Sequence, residues 1–339
     1  MARSRWKIPP LVTTVTAAGY GLALRCSGVP ALGDGLEARL AGWRLNVGEP
    51  VSLDLASEEA SRRAATATSL AVISWNVWMG RGRILELVDR LRTGALGVPG
   101  DLTPVLLIQE ASRQDDTIPA RSNGYAAREL VTRLRPTQDV MDVARTLRWN
   151  LRYVPSMRNG PQRSDRGNAI LTPLPLGPVE GVELPFALQR RVAVAATATA
   201  AGHALRLLSA HLDPRGPVGY KWLGAAARGN QMAHLLASLE DPTIVLGADL
   251  NLGRGRVERA WRLLVEHGFE HGVPPMPPTW RHTYHALPRL VIDYLLVRNR
   301  AGAIRSTVVR RVDEDPADRG PNVFGSDHHP LLAVVELAQ

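Results

Sequence analysis

A chain of 339 residues, 45% apolar and 22% charged, has the composition of a globular protein and excludes an intrinsically disordered one. Its single cysteine, Cys26, excludes an internal disulfide framework and a cysteine-based metal cluster. A net charge of +9 and a pI near 10.5 favour anionic partners: nucleic acid, phospholipid or a phosphorylated small molecule. Only Lys7 and Lys221 are lysines, however, and an arginine skew also arises from genomic base composition.

Arg3, Arg5 and Lys7 precede an uncharged run over 8–24. That order gives residues 1–28 the form of a signal peptide or short membrane anchor, with small residues at Gly21 and Ala23, or Cys26 and Gly28, for cleavage. Pro9, Pro10 and three threonines weaken the run, which is short for a span, so a buried helix or an arm competes. Export or anchoring and a cytoplasmic location stay equally open. Residues 29–69 carry no catalytic signature; helical character over 37–43 and 58–67 makes them a lead-in to a catalytic body over 70–339.

At Leu70 a β-rich run begins, ending in polar Asn76. Gly80 and Gly82 turn into an amphipathic helix over 84–91, and a strand over 104–108 closes on Gln109-Glu110. A helix over 138–149 and a strand over 151–154 follow, then a loop over 156–160 and the stretch Arg166 to Leu171. Strands over 191–199 and 204–209 flank Gly202-His203 as a hairpin, and the second delivers His211. A helix over 224–239 leads to a strand over 243–246 and then Asp249 and Asn251. A helix over 256–267, strands over 290–297 and 304–310, and a polar loop precede Ser326-Asp327-His328 and a last strand, 331–337. Strands alternating with helices, with polar residues at strand ends, form an α/β pattern.

Hydrolysis of a phosphodiester near neutral pH needs a divalent metal, an activated water, a proton for the leaving oxygen and donors for developing charge. Glu110, Asn76 and Asp327 offer the hard oxygen ligands that magnesium prefers. His328 can move a proton if an acid such as Asp293 fixes its tautomer. Asp249 and Asn251 leave one strand end on the same face, and His211 can bond a phosphate oxygen. Singly, each reads as well as a turn, a cap or a structural histidine. Asp293, inside an apolar strand, is the exception, because a carboxylate there is costly without a partner.

The series Trp75-Asn76, Gln109-Glu110, Gly167-Asn168-Ala169-Ile170-Leu171, Ala210-His211-Leu212, Gly247-Ala248-Asp249-Leu250-Asn251, Ile292-Asp293-Tyr294 and Ser326-Asp327-His328 resembles the endonuclease/exonuclease/phosphatase superfamily. The resemblance spans about 70–337 and implies an α/β (α+β) fold: a four-layer α/β/β/α sandwich, two mostly antiparallel sheets flanked by helices. It implies magnesium, with manganese as a substitute, on Glu110 with Asn76 and Asp327 beside it. His328 and Asp293 resemble the family's histidine–aspartate pair, Asp249 its water-activating or leaving-group aspartate, and His211 and Asn251 its phosphate-binding residues. Arg190, with Arg191 as the alternative, and Asn168 complete the expected phosphate contacts. The phosphate-side tyrosine of some nucleases has only Tyr125 and Tyr153 as candidates.

Eleven arginines against six acids over 113–166, and loop-borne Trp78, Met157, Tyr220 and Trp222, suit a polyanion track with stacking side chains. The expected activity is therefore a magnesium-dependent nuclease acting on DNA more than RNA, working as a monomer. A membrane-associated phospholipid or phosphoinositide phosphodiesterase/phosphatase is the alternative, favoured if the N-terminal segment is an anchor. A catalytically inactive nucleic-acid-binding module is the second.

Overall fold

The computed structural model describes residues 23–25, 34–121, 136–160, 162–214, 224–271, 282–315 and 317–339. Most of the expected signal or anchor, together with Tyr125, Tyr220, Lys221 and Trp222, lies outside the described residues. Among the described residues no helix is long and apolar enough to cross a membrane.

The chain runs through β1 (Ala23–Arg25), α1 (Asp34–Arg44), β2 (Val51–Leu53), α2 (Glu58–Ala65), β3 (Ser69–Asn76) and α3 (Ile84–Arg92). It continues with β4 (Thr103–Gln114), α4 (Val140–Leu147), β5 (Asn150–Arg158), β6 (Ser164–Thr172), β7 (Glu180–Glu183) and β8 (Val192–Ala200). Next come β9 (His203–His211), α5 (Ala225–Ala237), β10 (Thr243–Asp249), α6 (Arg259–Glu266) and β11 (Phe269–His271). β12 (Asp293–Asn299), β13 (Ile304–Arg311) and β14 (Leu331–Leu337) complete it.

These strands form two seven-stranded sheets, ordered β13-β14-β3-β4-β6-β5-β2 and β1-β7-β8-β9-β10-β12-β11. Among the described strands only β3/β4, β9/β10 and β1/β7 pair in parallel. The β8–β9 hairpin turns at Ala201 (φ 47°) and Gly202 (φ 78°), the two left-handed positions of a two-residue turn that follows the strands' own twist.

Period-two alternation gives each central strand two apolar faces. Leu70, Val72, Val105, Leu107 and Ile170 of the first sheet meet Val192, Val194, Leu205, Leu207, Val245 and Leu295 of the second. The intervening residues Ala71, Ile73, Trp75, Leu106 and Ile108 pack outward on α3 and α4 through Ile84, Leu87, Val88, Val140 and Val143. Leu208, Ala210, Leu246 and Ala248 pack on α5 and α6 through Met232, Leu235, Leu236 and Leu264. Helix, sheet, sheet and helix are therefore the four layers. Each fully buried Val or Leu contributes about 1.5–3 kcal/mol, and the largest share lies at these three interfaces.

The lead-in is part of this body. Leu40 and Trp43 of α1 pack on Met157 and Phe186, Ala64 of α2 joins the inter-sheet cluster, and β2 extends the first sheet at its edge. β5 runs through what reads in sequence as a loop, because Met157 and Arg158 pair with Arg166 and Asp165 beyond a bulge.

Candidate active site

The rows that fill the inter-sheet core turn polar at one edge of the sandwich. On β3 the row Leu70, Val72 continues as Ser74 and Asn76; on β9, Leu205 and Leu207 lead to Ser209 and His211; on β10, Val245 leads to Gly247 and Asp249. β12 runs the other way, so its first residue, Asp293, reaches the same edge. Register sets Asp249 opposite both Asp293 and His211, and Asn76 opposite Gln109. The sheets are tied just beneath. Gln109 Nε2 donates to Leu107 O, Ser209 Oγ and Gly247 O at 3.0, 3.0 and 3.2 Å, and Ser209 Oγ donates to Ile108 O at 2.9 Å.

Asp249 is the hub. Its Oδ2 accepts from Asn76 Nδ2 at 2.9 Å and lies 3.2 Å from His211 Nε2 and 3.9 Å from His328 Nε2. Its Oδ1 accepts the Asn251 amide at 3.0 Å, with Asn251 in the left-handed region at φ 51°. Asn251 Nδ2 lies 3.0 Å from His211 Nε2 and donates to Leu212 O at 3.2 Å. His328 Nδ1 meets the Asp293 carboxylate oxygens at 2.9 and 3.0 Å, while Trp75 Nε1 donates to the His328 carbonyl at 2.9 Å.

Burial sorts the charges. It disfavours the His328 cation, but the Asp293 carboxylate outweighs it and lifts His328 to about 10. Burial first, then repulsion from Asp293, pushes Asp249 up to about 7. Burial, helped by Arg191, holds His211 well below the usual imidazole range. The folded His328 keeps its proton up to about 10 against 6.5 for a free imidazole, so its pair with Asp293 stabilises fully below pH 6.5 and fades as pH rises through 10. Urea unfolding of the metal-free chain is expected to show stability declining across that window, and His328→Ala to flatten the decline. An equal slope in the variant would place its source elsewhere.

Glu110 departs from strand geometry. It sits in the left-handed region (φ 55°) at a break in register between Ile108 and Ala111, a bulge that re-aims its side chain. The Met79 amide donates to Glu110 Oε2 at 2.9 Å, and Oε1 stands 3.9 Å from His211 Nδ1. The Glu110 charge raises both Asp249 and Asp327, and burial, acting first, takes Asp327 to about 6. Asp327 Oδ1 is buried without a hydrogen bond, and among the described residues Asn76 Oδ1 takes only the Trp78 amide, at 3.0 Å. An orphaned carboxylate oxygen and mutually repelling acids fit a divalent cation with oxygen ligands. Asp249, Asp293 and His328 also gather within 4.8 Å, but their facing atoms are engaged by one another and by Asn76.

Arg190 does not reach this cluster. Its Nε binds Glu183 at 2.5 Å and its Nη1 the carbonyls of Pro155 and Ser156. Arg191 is the arginine on the site's side, paired with Asp213 at 3.3 Å and acting on His211. Asn168 Nδ2 is used in bridging the sheets, donating to Val192 O at 2.6 Å. Tyr153 is buried with its hydroxyl on Asp165 at 2.8 Å, away from the cluster. Met157 is fully buried against α1, so it is no stacking residue. The described arginines of 113–166 are largely structural: Arg113 pairs with Asp165 at 2.5 Å, and Arg152 and Arg158 bind carbonyls. Arg166 is the exception and had no mark in the sequence beyond its place before Gly167. Its charge couples to Glu110 and Arg191, and its Nε is buried without a hydrogen bond.

Two mixed sheets between helices, with carboxylates and histidines gathered at one shared edge, define an α/β-sandwich hydrolase. The chain belongs to the Endonuclease/Exonuclease/phosphatase family, whose model matches residues 73–328 and whose members are metal-dependent hydrolases of phosphoester bonds. Among solved structures it is similar to the endonuclease/exonuclease/phosphatase of Beutenbergia cavernae, at 16% identity and a TM-score of 0.53, over 80% of this chain and 72% of that one. A family protein from Leptotrichia buccalis matches at 15% identity and a TM-score of 0.52, over 80% and 100%. The human Nocturnin catalytic domain with bound sulfate matches at 15% and 0.51, over 85% and 98%. No curated protein sequence matches the chain.

Proposed function

We propose that the protein is a magnesium-dependent nuclease that hydrolyses phosphodiester bonds in DNA. The observation that carries this reading is the pairing of a cationic floor with an aromatic rim. Arg166, Arg191 and His328 supply positive charge around the carboxylates, and Trp78 stands on the loop whose next amide holds Glu110. Arg81 stacks on Trp78 at 4.7 Å, a platform suited to a base beside the bound phosphate.

Glu110, Asp327 and Asn76 Oδ1 are the residues that would hold the metal. When bound, magnesium, or manganese in its place, stabilises charge on the phosphoryl oxygens. Asp249, whose carboxyl burial raises to about 7, takes a proton from the attacking water. The water oxygen bonds to phosphorus, the P–O ester bond opens, and the leaving oxygen takes a proton from solvent to become a hydroxyl, while Asp249 returns its own proton to solvent. Asn76 and the Asn251 amide fix the Asp249 carboxylate for that transfer. His328, kept charged by Asp293, presents Nε2–H to a phosphoryl oxygen, and His211 and Asn251 Nδ2 face a second.

Supercoiled plasmid is expected to be nicked with magnesium and not without it, and His328→Ala to slow nicking at least about a hundredfold. Plasmid and single-stranded DNA both left intact, with phospholipid vesicles or inositol phosphates hydrolysed instead, would overturn the nuclease reading in favour of lipid chemistry.

A further inference from the structure

A second cluster of metal-binding side chains lies behind His328. His282 and His285 come from the segment before β12, Asp318 from the loop after β13, and His329 from the residue following His328. All three imidazoles are at least nine-tenths buried.

Their facing atoms are set at one repeated spacing. His282 Nε2 lies 3.3 Å from Asp318 Oδ2. His285 Nδ1 and His329 Nε2 each lie 3.3 Å from Asp318 Oδ1, and 3.3 Å from each other. Ligands at about 2.0–2.1 Å around a tetrahedral zinc stand roughly 3.3 Å apart, the edge of the tetrahedron.

The outward nitrogens settle what faces inward. His285 Nε2 is 2.9 Å from the Gly320 carbonyl, which only accepts, so that nitrogen carries the hydrogen. His329 Nδ1 faces the Val312 carbonyl at 3.4 Å and Asp313 Oδ1 at 2.9 Å, both acceptors, so it too carries its hydrogen. In their neutral forms both rings therefore turn lone pairs toward each other and toward a carboxylate. His282 Nε2 and Asp318 Oδ1 are buried there without a hydrogen bond. Lone pairs converging on one point are stabilised by a cation between them. The Asp313–His329 contact is the carboxylate–histidine arrangement that orients a zinc ligand from behind. Arg289 Nη1 and Arg311 Nη2 each lie 3.7 Å from Asp318 Oδ2, on the side of the carboxylate that His282 also faces.

We propose that His282, His285, His329 and Asp318 form a closed four-ligand zinc site that braces the segments carrying the candidate active-site residues. Three imidazoles and one carboxylate suit zinc over magnesium, which takes oxygen ligands and keeps its waters. The braced backbone is short. Thr283 Oγ1 accepts the Asp293 amide at 3.0 Å, the His285 amide donates to Asp327 O at 2.7 Å, and the His329 amide to Thr283 O at 2.8 Å.

The test is metal content of the full-length chain, grown with zinc, dialysed in metal-free buffer and analysed by elemental mass spectrometry. About one zinc per chain is expected. A strong chelator should remove it and lower the thermal midpoint, and zinc chloride, but not magnesium chloride, should restore both. His282→Ala and His285→Ala should each lose the zinc while Glu110→Gln keeps it, which separates this site from the one proposed for magnesium. A wild-type chain that retains no zinc and shows no midpoint shift on zinc addition overturns the proposal without any variant having to fold. So does full zinc retention in a folded His282→Ala/His285→Ala chain. Because the readout is bound zinc, zinc without DNA cleavage sinks only the nuclease reading, and cleavage without zinc sinks only this one.

Discussion

Asp249→Asn is expected to lower the turnover number for DNA cleavage by about 10²–10⁴-fold while leaving the Michaelis constant within a few-fold. The substitution keeps the shape of the side chain and an oxygen for one of its two donors, Asn76 on Oδ2 or the Asn251 amide on Oδ1, but removes a group able to hold a proton. The wild-type rate should rise with pH through about 7, where Asp249 ionises, and fall only where His328 loses its proton near 10. The variant should lose the lower limb. Its stability should move the other way. A buried carboxyl raised from 3.8 to about 7 binds protons more tightly folded than unfolded, so the wild-type chain loses stability as pH climbs through that interval. Asparagine has nothing to ionise, so the variant's stability should not fall across that interval. Near-normal turnover in the folded variant would remove Asp249 from proton transfer and leave it as a scaffold for Asn76 and His211.

The second large effect is expected two residues earlier. A Cβ on Gly247 would stand 2.7 Å from Leu107 Cβ, 2.7 Å from Ser74 Oγ and 2.8 Å from Ser74 Cβ. Those atoms belong to the opposite sheet and sit next to its backbone, so they cannot swing aside as a long side chain would. Gly247→Ala should destabilise the chain by about 1–3 kcal/mol, read as a lower urea midpoint at unchanged slope. It should also cut turnover about a hundredfold, because parting the sheets here shifts Asp249 from Asn76, and misplacement by about 1 Å is enough. A variant matching the wild type in midpoint and rate would mean that the sheets have slack at this level.

Why Asp249, Asp293 and His211 are legible in the sequence, and the choice between Arg190 and Arg191 is not, comes down to alternation. Inside a strand, every second residue shares a face, so spacing alone groups Val245, Gly247 and Asp249. Arg190 and Arg191 stand just before β8 begins at Val192, where that rule no longer holds, and the partners Glu183 and Asp213 decide their directions. Glu110 is legible as a residue but not as a bulge, because its left-handed φ has no glycine to mark it. β1 and β2 are three-residue edge strands, too short for a pattern. α3 begins with its free amides on Gln138 Oε1, 2.6 Å from the Ile84 nitrogen, a cap from far along the chain that no local motif announces. The histidine cluster is of the same kind. His282 and His285 make a recognisable pair, but only the fold brings Asp318 and His329 to them.

The placement of the last strand has a consequence for how the protein is made. β14 is an interior strand, inserted between β13 and β3, and His328 lies three residues ahead of it. Asn76, on β3, is synthesised some 250 residues before the histidine that shares its site. On the ribosome, the first sheet thus exists as two pieces, β13 on one side and β3 through β2 on the other, until β14 emerges to join them. A nascent chain can gather its hydrophobic layers early but brings His328 to Asn76 and Asp249 only when β14 docks, so the candidate site is among the last parts of this fold to assemble.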